Sequence, residues 1–505
     1  MTEKEILIRW NDFEQSEFAK NMQTGFDYFN CKNEITEKNK GRYGTDEKNI
    51  EYQTLTTLSD RKIANNFFKF IINQQVAYGV ARKFILTKNN VEVNEKELNL
   101  VESIKSKLFR FFNKGRDEKR FEKFNLLVSK TFSENYAEFV NSCVNAPKAQ
   151  IGWLYIYYND NAELEFMSMN PQELCPIWGN DKKTYVDGMI RKYQKTEYDD
   201  EGAKQVTYIE YYDLERIRVY KYAEVDTEPL EFIEEHPYYV NQDGSLGRFN
   251  RVPFIPIKYN ADMTYLLQDI KPQVDAYDKI MSEVANNIID LPNSILLIKG
   301  LDGSNPNEVS DFVKNLRQTR LMFAPAEGDG KNLSIEQNIQ QIDIALTRLR
   351  KDIFELGGGV DTQNKDLKDT SGVALRWSYS NLEEKFNVWS NQIDIAIKSI
   401  IDFIIWDNVA QGGEDFSDID YDIVYDTDSI INESETIQNL QLSKGMISPE
   451  TIAANHPYTK NTQKELEGMK EQMKYEAEMK LLAKGGNESG TNDHNTNEGI
   501  TGVSQ

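Results

Sequence analysis

The sequence predicts an α+β chain, with helical and sheet segments in separate blocks rather than in alternation. Three observations lead there. Residues 60–145 carry apolar side chains at helical spacing. Residues 150–258 are dense in β-branched and aromatic residues cut by turn signals. Beyond them run long apolar stripes stepping by threes and fours.

Residues 1–44 are polar and weakly periodic and read as an N-terminal arm; Asn33 to Asn49 is rich in Lys and Glu, with GRYG at 41–44. From about Asp60, Ile63, Phe67, Phe70 and Ile71 fall at helical spacing, followed by two further helical stretches, Leu98 to Phe112 and Phe121 to Val140. IGWLYIYYND, ELEFMSM, KTYVDGMIRKYQ, QVTYIEYYDLERIRVYKY and EPLEFIEE then alternate with turns such as Asn159-Asp160 and Asp243-Gly244, an antiparallel β region. In RVPFIPIKYN two prolines restrict the run to an edge strand or an extended linker.

Within residues 261–289, Leu267, Ile270, Val274, Tyr277, Met281, Val284 and Ile288 form an unbroken heptad stripe, with Pro272 predicting a helix start or a bend. Residues 290–334 read as a compact α/β insertion: a strand in NSILLIKG, a short helix from Ser310 to Arg320 and a strand in LMFAPAEGDGKN. Across 335–356 the stripe resumes with Ile335, Ile339, Ile342, Leu346, Leu349, Ile353 and Leu356. Gly357-Gly358-Gly359 ends that helix, since glycine accepts the left-handed conformation of a helix terminus. A polar loop runs to residue 370, where Thr370 or Ser371 can cap a helix over 372–407, roughly 54 Å long. Gly412-Gly413 stops it and DYDIVYDTD is a short strand. Residues 429–484 are helical again, with Ser448-Pro449 as a start, and the composition of 485–505 predicts disorder.

Composition narrows the function. The 505 residues carry 59 Lys+Arg against 82 Asp+Glu, a net charge of −23, which argues against gripping nucleic acid by broad charge neutralisation but not against letting it slide past. No run of about 18 apolar residues exists, so no membrane span is expected, and no apolar signal core opens the sequence. Cys31, Cys143 and Cys175 are too scattered for a disulfide framework or a structural zinc site. Gly330-Lys331 lacks the first glycine and the hydroxyl of a phosphate loop, and Asp418-Asp420-Asp422 has only the opening spacing of a calcium loop. His236, His456 and His494 sit in turns or tail, and neither a nucleophile–base pair nor a metal set is visible, so no cofactor and no catalysis are expected. Read alone, the stripes fit ordinary packing within one large domain.

The order of elements nevertheless resembles the portal proteins of tailed bacteriophages, the head–tail connector family, above all those of long-tailed phages of Gram-positive hosts. The resemblance covers residues 28–470. It rests on YFNCKNEI (28–35), KIANNFFKFIINQQVAYGV (62–80), RVPFIPIKYN (251–260), DAYDKIMSEVANNI (275–288) and TSGVALRW (370–377) in that order. It implies a portal fold with a mixed wing at 45–260, stem helices at 261–289 and 335–356, and a small α/β clip at 290–334. A tunnel loop at 357–370, a long wing helix and strand at 371–428 and a helical crown at 429–484 complete it.

By the same resemblance the chain forms a homo-oligomeric ring of about twelve subunits, closed by head-to-tail contacts. The ring sits at the capsid vertex of the virion, after assembly in the host cytoplasm. It carries double-stranded DNA and meets the terminase large subunit, the scaffold and major capsid protein, and a head-completion adaptor. The side of the second stem helix opposite its stripe carries Asn338, Gln341, Ala345, Arg348, Asp352 and Glu355; on the first it carries Asp269, Gln273, Lys279, Glu283 and Asn287. Such a mixed, largely acidic wall gives phosphate no fixed partner. In the loop, Gln363, Asn364, Lys365 and Lys368 could touch the DNA backbone reversibly, with Gly357, Gly358 and Gly359 letting the loop move. The alternative is an acidic helical scaffold or adaptor protein without a DNA channel.

Overall fold

The computed structural model describes residues 1–36, 61–88, 100–199, 202–222, 230–241, 243–290, 296–299, 321–324, 339–363, 372–427, 433–456, 458–459 and 462–485. By internal contacts the chain forms two compact units, one of residues 1–365 and 378–428, the other of residues 366–377 and 429–505.

The first unit opens with helices α1 (Glu3–Gln15) and α2 (Glu17–Phe29), where the sequence suggested a loose arm. Local chemistry explains the correction. Thr2 and Glu5 form a reciprocal capping box, and the Ser16 hydroxyl accepts the Ala19 N–H at 3.2 Å to start α2. Ile6 and Trp10 of α1 then bury against the sheet beside Ile190, Ile209 and Tyr220. Helix α3 (Phe67–Gly79) buries Phe67, Phe68, Ile71, Ile72 and Val76. Strand β1 (Ile85–Lys88) precedes α4 (Leu100–Ala149), one continuous helix where two were expected. Gly115 lies between the two expected stretches, and one glycine costs a helix only about 1 kcal/mol. Phe124, Val128, Phe132, Phe139, Cys143 and Ala146 of α4 are buried at spacings of three, four and seven.

Strands β2 (Ile151–Tyr158), β3 (Leu164–Met169), β4 (Leu174–Trp178), β5 (Val186–Asp199), β6 (Gly202–Tyr212), β7 (Ile217–Tyr222) and β8 (Leu230–His236) follow, then the short β9 (Tyr239–Val240) and β10 (Leu246–Gly247), and β11 (Phe254–Lys258). Strands β4 to β8 form an antiparallel meander in chain order, and β11-β2-β3 form a second sheet. β11 is an edge, as its Pro256 demands. Trp153, Met169, Met189, Tyr212 and Phe254 share the core under the two sheets.

Helix α5 (Leu267–Asp290) continues through Pro272, which falls in its second turn. Strands β12 (Leu296–Lys299) and β13 (Leu321–Ala324) pair in parallel; the helix expected at 310–320 lies outside the described residues. Helix α6 (Ile339–Gly357) packs against α5. The long helix α7 (Gly372–Ala410), expected over 372–407, buries a stripe of Leu382, Phe386, Trp389, Ile393, Ile397, Ile400 and Ile404. Gly412, at φ +81, follows its end, and β14 (Tyr421–Val424) pairs with β1.

In the second unit, α8 (Glu433–Leu442), α9 (Pro449–Ala454) and α10 (Thr462–Gly485) are the described helices after residue 428; Ser448 caps α9 as predicted. The tail from 486 lies outside the described residues.

Candidate functional site

The candidate site comprises α5, α6 and the turn after α6. The heptad stripe of α5 is buried only at its start. Leu267, Ile270 and Val274 are in the core, whereas Ile288 is 59% exposed. Beyond Val274 the buried positions are Asp278, Ser282 and Asn286, a polar row four residues apart. Such a row follows the i+4 ridge of the helix, which inclines away from a 3.5-residue stripe. The sequence reading followed the apolar residues and missed it. Burial pushes the Asp278 carboxyl up, while hydrogen bonds from Asn65 and Asn33 pull it down; the net shift is upward. Nearby, the Tyr28 hydroxyl donates to Asp275, and Lys271 bridges Asp275 at 2.7 Å and Glu34 at 2.8 Å.

Helix α6 meets α3 through its last turns. Ile353 and Phe354 are buried, and Phe354 lies edge-on to Phe67 and Phe70 at 6.0 and 5.9 Å between ring centres. Leu356, assigned to the buried stripe, is 44% exposed, because the helix turns Phe354 and Gly357 toward α3 instead.

The three glycines form a fitted seat. Gly358 has φ +64. A Cβ on Gly357 would lie 2.8 Å from Ile71 Cδ1, one on Gly359 2.9 Å from Ile71 Cγ1, and one on Gly358 2.4 Å from Lys385 Cγ. Gln75 donates to the Gly357 carbonyl at 2.8 Å, and Arg350 grips Asp361 with two bonds of 2.7 Å. Backbone from 357 to 361 is therefore pinned, and the glycines form a fixed seat there instead of a hinge.

A sequence profile described as "Phage portal protein, SPP1 Gp6-like" matches residues 12–479. The chain belongs to the phage portal protein family. It is 24% identical over 455 residues to the portal protein of Clostridium phage phiCD119, spanning 85% of this chain and 88% of that one. It is 23% identical over 465 residues to the portal protein of Bacillus phage SPP1, spanning 90% and 84%. Portal proteins are structural, non-enzymatic proteins of phages, and their general role is the conduit for DNA packaging.

Of the residues that the portal resemblance assigns to the channel wall, Lys279 and Gln341 are exposed and Glu283 is half-buried. Arg348 is exposed and pairs with Asp352 at 3.0 Å. Asp269 is engaged by Lys385 of α7 at 2.8 Å, a partner no local pattern announced. Gln363 is exposed, its N–H donating to Asp361 at 3.0 Å. Asn338, Asn364, Lys365 and Lys368 lie outside the described residues. Of the acidic triplet, Asp418 pairs with Arg120 at 2.6 Å, with Glu414 beside it at 2.9 Å. No group of three possible metal ligands occurs among the described residues, and no described helix is long and apolar enough to cross a membrane.

Proposed function

We propose that copies of this portal chain close into a ring of about twelve at one capsid vertex, around an axial hole through which double-stranded DNA passes. The observation that carries the reading is the family match over residues 12–479. In it α5 and α6 are the stem, the β12–β13 segment belongs to the clip, and α7 is the long wing helix. Helices α8 to α10 are the crown. Lys279, Glu283, Asn338, Gln341, Arg348 and Asp352 face the channel.

Electrostatics supports this assignment. Arg348 is partly neutralised by Asp352 on its own helix, so of the two cations named on the wall, Arg348 and Lys279, one already has a carboxylate partner. A conduit needs that, because each cation that holds a phosphate must release it for DNA to advance. The loop beyond the Asp361 anchor, with Gln363, Asn364, Lys365 and Lys368, makes transient contacts. The clip and outer surface take the terminase large subunit, the scaffold and major capsid protein, and a head-completion adaptor. Assembly takes place in the host cytoplasm and the product resides in the virion.

Negative-stain microscopy of the purified full-length chain tests the reading. Rings of uniform diameter with a central hole are expected; a monomer or an elongated dimer, even with scaffold and coat protein added, favours the acidic adaptor. K365Q with K368Q is expected to leave the rings intact and slow packaging. Unchanged packaging removes the loop's role.

A further inference from the structure

Residues 61–66 lie along the polar row of α5. Their alternate amides donate in register: Asn65 to Asp278 Oδ1 at 2.9 Å, Ile63 to Ser282 Oγ at 2.9 Å and Arg61 to Asn286 Oδ1 at 2.8 Å. Eight helical residues advance about 12 Å, and four chain residues cover that distance only when nearly extended, at about 3.3 Å each. The row thus acts as a strand edge made of side chains. Ser282 completes it by donating its own hydroxyl to the Asp278 carbonyl at 2.7 Å, which leaves its lone pairs to Ile63. Asn286 also donates to the Arg61 carbonyl at 3.0 Å. On the other flank, the Cys31 thiol donates to the Ala64 carbonyl at 3.6 Å and Asn33 to the Asn65 carbonyl at 3.3 Å.

None of the side chains from 61 to 66 is buried, whereas Phe67, Phe68, Ile71 and Ile72, next in the chain, are. The segment is held by hydrogen bonds that water can replace, and its neighbour by apolar burial that water cannot. Segments with few buried apolar contacts open at lower cost than the core.

We propose that residues 61–65 are a releasable strap, docked on a strand-binding row of α5, which opens as a unit while α3, capped by Asn66, stays folded. The row holds backbone at three residues, and Asp278 also takes the Asn65 side-chain amide at 2.8 Å, so it takes an extended peptide segment with an amide side chain at that place, and its occupant is this stretch of the chain's own. When the strap opens, Asp278, Ser282 and Asn286 hydrate, and the half of α5 beyond Val274 loses a tie to the N-terminal part of the chain. If α5 lines the channel, the strap decides whether that half of the helix is braced while DNA passes; this last step rests on the proposed function, the strap itself does not.

Hydrogen exchange of the full-length chain in its native assembly, read by mass spectrometry, tests the strap. Peptides covering 61–65 are expected to exchange at least about tenfold faster than those covering 67–79. S282A and N286A are expected to speed 61–65 further and leave 67–79 unchanged. The Cys31 thiol gives a second readout: both variants are expected to speed its alkylation, while the buried Cys143 and Cys175 keep their rates. Exchange of 61–65 only in step with 67–79, or variants that accelerate both segments alike, overturns the strap. Rings without this exchange pattern remove the strap and keep the channel; the pattern without rings removes the channel and keeps the strap.

Discussion

The side-chain amide of Gln74 pairs with the backbone of Val360 as one strand residue pairs with another. The Val360 N–H donates to Gln74 Oε1 at 2.9 Å, and Gln74 Nε2 donates to the Val360 carbonyl oxygen at 2.8 Å. Asn286 holds Arg61 in the same reciprocal way. Beside it, Gln75 donates to the Gly357 carbonyl and accepts the Tyr259 hydroxyl at 3.1 Å. Two adjacent glutamines of α3 thus fix the chain at the first glycine of the run and just past its last.

Replacing Gln74 tests how much that pairing holds. Val360 is buried, so Q74L strands one donor and one acceptor away from water. Each such group costs about 1–3 kcal/mol, and a loss of about 2–6 kcal/mol is expected in chemical denaturation. Q74E keeps the acceptor for the N–H but sets a carboxylate against the carbonyl, and is expected to cost at least as much. A loss below about 0.5 kcal/mol for both would mean that water reaches Val360 freely.

Two glycines separate crowding from backbone strain. A Cβ on Gly79 would lie 2.0 Å from Phe386 Cζ, within the ring contact that joins α3 to α7. G79A is expected to cost about 3 kcal/mol, since the buried Phe386 ring is already held against Tyr78, Trp389 and Tyr425. Gly412 stands at φ +81 with no atom within 4 Å of a built Cβ. G412A is expected to cost only about 1–2 kcal/mol, the strain of a left-handed residue. Equal losses in urea denaturation would overturn the distinction.

Much of this fold was legible because local pattern and tertiary role agree. The α7 stripe from Leu382 to Ile404, the Ser448 cap and the proline-bearing edge strand all use signals that act within a few residues. The N-terminal helices were legible too: Thr2 with Glu5, and Ile6 with Trp10, are a capping box and an i, i+4 apolar pair, passed over amid charged neighbours. The site was less legible for a physical reason. Asp278, Ser282 and Asn286 look like a solvated face, and only a segment more than 200 positions earlier buries them. The glycine run reads as a helix end, which it is, but its fit against Ile71 depends on an element that no spacing rule places there.

The Arg350–Asp361 pair gives an acid-dependent prediction. Burial pushes the Asp361 carboxyl up, but hydrogen bonds from Arg350 and the Gln363 N–H, with the charge of Arg350, hold it below the ordinary aspartate value. A carboxylate depressed in the folded state stabilises above its unfolded pKa of about 4, and that contribution disappears as pH falls through the folded value. D361N is therefore expected to lower the melting temperature at pH 7 and to flatten the decline below about pH 4. Melting curves from pH 2 to 7 check both, and an unchanged acid limb in D361N would show that other carboxylates set it.

Lys148 predicts the opposite slope at the alkaline end. Its side chain is buried, with Nζ 4.0 Å from the centre of the Phe26 ring and 4.9 Å from that of Phe29, and no described carboxylate pairs with it. Burial, aided by the charge of Lys69, pushes its ammonium down to about 8. Between about 8 and the unfolded value near 10.4, the unfolded chain binds more protons than the folded one, so stability rises with pH across that window. Below it the chain carries the full cost of a buried cation, on the order of 1–3 kcal/mol after the aromatic rings take their share. K148M keeps an unbranched stem against Phe26 without the charge. It is expected to raise the melting temperature at pH 7 by several degrees and to remove the gain between pH 8 and 10. Were K148M less stable at pH 7 and the alkaline gain intact, the two rings would have to hold the cation more strongly than water does, and the lysine would be a tie between α2 and α4 instead of a cost.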